Sequence, residues 1–138
     1  MKISDLSKAE LSRWIAEKRE PFSTLPEATE PILLGERGRP SPLKAWCETS
    51  DYETGDVPYW QPRDFVDDHA MTVTILEELG EMWTTVTLSK RGVRLSVRTK
   101  RIPLGHKGAR YLIKWTQGKH LGRTVAETWA LVSGFQEE

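Results

Sequence analysis

No run of 18 apolar residues occurs in this 138-residue chain, so no membrane-crossing helix is expected. Cysteine is nearly absent. Cys47 stands alone, which excludes an internal disulfide and fits a reducing cytosol. The opening MKISDLSKAELSRW lacks the apolar core of a secretory signal. The strings G-x-x-x-x-G-K-[ST], H-E-x-x-H and C-x-x-C are missing, and no repeat of fixed period is visible. The most informative absence is acidic. Residues 82–126 hold 11 Lys/Arg and no Asp or Glu, residues 1–81 hold 9 and 17, and residues 127–138 add three Glu. A net charge of zero therefore hides an acidic first part and a basic second part. The two parts neutralise each other, within the fold or across an oligomer contact, or the basic part faces an anionic ligand.

What is present reads as one domain over 1–138, with 38% apolar residues and six Trp to supply the core. Residues 7–20 read as a helix opened by the capping box Ser7–Glu10 and ended by Pro21, with Leu11, Trp14, Ile15 and Lys18 on one face. Residues 21–62 are punctuated by seven prolines and read as irregular, with short extended pieces at 31–34 and 43–49. A second helix is expected from about 64–67, with Met71, Thr72, Ile75, Leu76 and Leu79 buried and Gly80 as its C′ residue. Residues 82–88 and 93–99 read as a hairpin, in which Val93, Leu95 and Val97 alternate with Arg94, Ser96 and Arg98. A third strand follows at 109–116 with Tyr111, Ile113 and Trp115 on one face, Trp115 being taken as core. The last helix is expected to start from a capping box at Thr124 and Glu127 and to stop at Gly134. This order indicates an α+β fold: a small antiparallel sheet of three or more strands, with a central hairpin over 82–99, packed with three helices in an α-β-α-like sandwich.

The candidate chemistry is anion binding. Arg94 and Arg98 share the basic face of the hairpin, Lys114 of the next strand joins them if the register allows, and Arg101 lies between. In PLGHKGAR, Gly105 and Gly108 allow close backbone approach, while His106, Lys107 and Arg110 donate to phosphate oxygens. Arg37, Arg39 and Trp46 form a further Arg/aromatic cluster near Lys44. Cys47 lacks the surroundings of a nucleophile, and Asp64, Asp67, Asp68 and His69 lack a second ligand cluster, so neither a catalytic residue nor a metal or other cofactor is assigned.

The strings LSRWIAEKREPF, YWQPRDFVDDHAMTVTILEEL and TVAETWALVSGF carry a resemblance. With Ala16, Glu17 and Lys18, then Trp60 and Pro62, then Ala126 and Ala130, the chain resembles the phage ABA sandwich domain family over its first 20 residues and over 58–138. The resemblance implies an α-β-α arrangement, a phage origin and a host-cytosol setting, and it supplies no catalytic residues. The reading favoured here is a non-enzymatic phage accessory protein of the counter-defence type. It would bind and sequester a small phosphorylated nucleotide as a homo-oligomer. The alternatives are an inhibitor or assembly factor that binds a host or phage protein, and a nucleic-acid-binding accessory protein, against which the neutral net charge counts.

Overall fold

Ser7 opens α1 (Lys8–Arg19): its hydroxyl accepts from the Glu10 N–H, and the Glu10 carboxylate accepts from the Ser7 N–H. These bonds from Ser7, the backbone one first, hold the Glu10 carboxyl below its ordinary value. Its contribution to the helix is therefore present at neutral pH and lost as pH falls through the carboxylate range. The computed structural model describes residues 1–24, 39–40, 45–49 and 59–137. The fold is α+β, with three α-helices and two antiparallel three-stranded sheets among the described residues. The chain divides into two compact units, Met1–Phe65 and Val66–Glu138.

In the first unit, β1 (Arg39–Pro40), β2 (Trp46–Thr49) and β3 (Tyr59–Pro62) pair antiparallel with β2 in the middle. Three paired strands thus occupy part of the segment that its prolines mark as irregular. Pro40 and Pro62 fall on the two edge strands, where a missing N–H costs no ladder bond. The expected extended piece at 31–34 lies outside the described residues. Leu11, Ile15, Ala16, Trp46 and Phe65 are buried. Phe65 N–H donates to the Ser12 hydroxyl, and the Trp46 indole donates to the Glu20 carbonyl at 2.8 Å.

In the second unit, Asp68 caps α2 (His69–Gly80), which starts later than the run of acids suggests because the Asp68 carboxylate accepts from Ala70 N–H. Then β4 (Thr84–Ser89), β5 (Gly92–Pro103) and β6 (Ala109–Gly118) form a meander with β5 central, followed by α3 (Leu121–Val132). Val93, Leu95, Val97 and Thr116 are buried on the face over which α3 packs. The Trp129 indole of α3 donates to the Glu78 carboxylate of α2. The expected Thr124–Glu127 capping box does not form, because α3 begins a turn earlier. His120 Nδ1 accepts from Arg123 N–H, the Thr124 hydroxyl turns back to the His120 carbonyl, and Glu127 pairs with Arg123 at 2.7 Å. Gly134, at φ +112°, does follow the end of α3.

Small residues let α3 approach closely. A Cβ on Gly118 would meet the Thr124 hydroxyl, and one on Gly122 would run into the Val66 carbonyl oxygen. Gly122→Ala is therefore expected to destabilise the protein by about 1–3 kcal/mol in urea unfolding. A variant as stable as the parent would mean that α3 does not sit this close.

Candidate functional site

The register of the second sheet sorts its side chains into two faces. Opposite Val93, Leu95 and Val97 stand Leu88, Val86 and Thr84 on one side and Gly118, Thr116 and Lys114 on the other. These belong to the face on which α3 lies. The opposite face carries Thr85 and Thr87 of β4, Arg94, Ser96 and Arg98 of β5, and Ile113, Trp115 and Gln117 of β6. Between Arg98 and Lys100 the pairing with β6 slips, so that Arg98 faces Ile113 and Arg101 faces Tyr111. This bulge turns Lys100 away and brings Arg101 to the side of Arg94 and Arg98.

The result is an open face on which guanidinium groups lie over aromatic rings. Arg94 sits 3.9 Å from the centre of the Trp115 ring. Arg98 lies between Trp83, at 5.4 Å, and Tyr111, at 4.6 Å. Trp83 is 71% exposed and Trp115 55%, and Ile113 and Tyr111 are exposed as well. Each stack contributes about 0.5–1 kcal/mol at such exposed positions. It fixes a planar cation while leaving its N–H edge free for a bidentate acceptor such as phosphate. No carboxylate pairs with Arg94, Arg98, Lys100, Arg101, Lys107, Arg110 or Lys114 among the described residues.

Several sequence expectations are corrected. Trp115 is not core: α3 lies against small Thr116 and Gly118, and the larger alternating set Tyr111, Ile113 and Trp115 is left facing solvent. Lys114 does not join Arg94 and Arg98, because it stands opposite Val97 on the other face. Arg110, opposite Ile102, is also turned to that other side. Trp46 is fully buried and bonded to a main-chain carbonyl, so it presents no surface to a ligand. His106 and Lys107 are exposed in a 3-10 turn (Gly105–Lys107) at the tip of the β5–β6 hairpin. The tip is roughly 30 Å along β5 from Arg94 at the usual rise per residue. Only the backbone of Arg39, in β1, is described, and Arg37 and Lys44 lie outside the described residues. The acids have local partners: Asp64 approaches Lys8 at 3.7 Å, Asp67 approaches His120 at 3.7 Å, and Asp68 caps α2. No group of three or more possible metal ligands gathers among the described residues.

Trp83 is the residue whose part in the face the sequence did not settle. Its φ of +58° makes it the one non-glycine residue in the left-handed region among those described. It takes the position after α2 that Gly80 was expected to fill, with its N–H on the Gly80 carbonyl. The neighbouring Thr84 hydroxyl donates to the Leu79 carbonyl and pins the turn. A left-handed bulky residue costs roughly 1–2 kcal/mol, and such strain gathers where a side chain is held for use. Set against protein-family models, curated proteins and solved structures, the chain matches none.

Trp83→Gly should unfold at no lower a denaturant concentration than the parent, since relief of the backbone offsets the lost ring contact. A loss beyond about 1 kcal/mol would show instead that the indole holds the fold together.

Proposed function

We propose that the protein binds, without chemistry, a phosphorylated ligand bearing flat rings, of the nucleotide class, on the open face of β4–β6. The single observation that carries this is the pairing of Arg94 with Trp115 and of Arg98 with Trp83 and Tyr111 on one solvent-facing surface. Exposed rings offer stacking surfaces to bases, and the guanidinium groups beside them offer forked donors to phosphate. Arg94 and Arg98 lie roughly 13 Å apart along β5, which suits two or more linked nucleotides better than one. The rings of this face are exposed to solvent, so the bound rings lie on it rather than inside a closed cavity. A phage accessory role for such binding is part of the proposal and rests on the sequence resemblance alone, since no family model matches the chain.

The reading is tested by calorimetry with linear and cyclic dinucleotides, followed by recovery of the ligand. Binding with intact ligand is expected, and cleaved ligand would make the protein an enzyme. Arg94→Glu and Arg98→Glu should each weaken binding by about 1.5–3 kcal/mol, and Trp115→Ala by about 1–3 kcal/mol, with melting temperatures little changed. Equal affinity in all three variants would remove this face from the site.

A further inference from the structure

Beyond Arg98 the sheet narrows to two strands. The pairing of β4 with β5 stops at Thr84 opposite Val97, while β5 and β6 remain paired from Arg98 to Pro103 and from Ala109 to Ile113. Burial stops at the same place: Val93, Leu95 and Val97 are buried, and no residue from 98 to 113 is. A ribbon with no buried face gains little from core packing, and isolated two-stranded ribbons are marginal in water. This one also carries like charges on both sides. Arg98 and Arg101 lie toward the Tyr111 side, Lys100 and Arg110 lie on the other, and His106 and Lys107 sit at the tip. Residues 98–113 contain no acid. Like charges close together across a ribbon repel, so neither packing nor pairing accounts for the composition.

We propose that this ribbon is a cationic arm that follows the sugar–phosphate backbone of a single-stranded nucleic acid whose bases lie on the Arg94–Arg98 face. The inference rests on the reading above and names its ligand more closely. The positive track runs from Arg94 to the hairpin tip, roughly 30 Å, which a mononucleotide or dinucleotide cannot span. A single strand leaves base faces bare for Trp83, Tyr111 and Trp115, whereas a duplex keeps its bases stacked on one another. The basic residues that point away from the aromatic face are thereby given a task that a compact ligand on that face would leave undone. The neutrality of the whole chain does not oppose this, since the acids lie outside the strands that form the track.

The test is fluorescence anisotropy of the full chain with a labelled dinucleotide and with single strands of about six and about twelve nucleotides, at several salt concentrations. Affinity is expected to rise at least about tenfold from the dinucleotide to the longest strand, with a steeper salt dependence. In Lys100→Ala/Arg110→Ala, whose changes lie on exposed ribbon positions, the logarithmic salt slope for the longest strand should fall by about 1.4. Dinucleotide binding should be unchanged. Affinity that ignores strand length, with an unaltered slope in the double variant, overturns the arm and leaves the face reading standing. No binding to any of these probes overturns both. Duplex DNA or a poly-glutamate peptide bound as tightly as the longest strand overturns the single-strand assignment.

Discussion

The close approach of α3 to β5 and β6 is the constraint on which the second unit depends. Gly118 of β6 carries no side chain where it meets Thr124 of the helix, Thr116 and Thr124 are small, and Ala126 and Ala130 line the buried side of the helix. A helix that lies so near has no room for rings. The large residues of β6 are therefore placed on the opposite face, and the pleat of the strand puts Tyr111, Ile113 and Trp115 there together. Arg94 and Arg98 alternate with the buried Val93, Leu95 and Val97 and so fall on that same face. The aromatic and guanidinium surface is in this sense the other side of a tight helix–sheet contact.

Two local departures from regular structure adjust that surface. The bulge at Thr99 changes which basic residue of β5 looks toward Tyr111, so that Arg101 replaces Lys100. The left-handed backbone at Trp83 sets an indole beside Arg98 just before β4 begins, where a glycine would have ended the helix more cheaply. Both act on Arg98 or its neighbour, and both enlarge the exposed set of rings and cations rather than the core. That concentration of irregularity around one face is why it, and not the Gly-rich loop at the hairpin tip, is the candidate site.

Much of the architecture was legible in the residues. The Ser7 capping box, the buried stripe of α2, the alternation in β5 and the stop at Gly134 follow from short-range rules that the chain obeys locally. Where a tertiary contact competed, the local signal misled. Thr124 and Glu127 have the spacing of a cap, yet His120 caps α3 and leaves Thr124 buried against the sheet. The prolines of 21–62 hid β1 and β3, because edge strands accept proline where a central strand does not, whereas β2 falls within the extended piece expected at 43–49. Of the basic residues, the alternation of β5 correctly joined Arg94 and Arg98, but no rule along one strand gives its register against the next. Lys114 was misassigned for that reason.

The amino-acid order alone determined the α+β class, the succession of helix and meander, and the segregation of positive charge into residues 82–126. These depend on spacing along the chain, which is set by the 3.6-residue and two-residue periods of the backbone. Which face of β6 turns toward the helix, where β5 bulges and which arginine meets which ring were decided only by the tertiary structure. Those outcomes depend on the distance of closest approach between elements far apart in sequence, and no periodicity within one strand carries that distance.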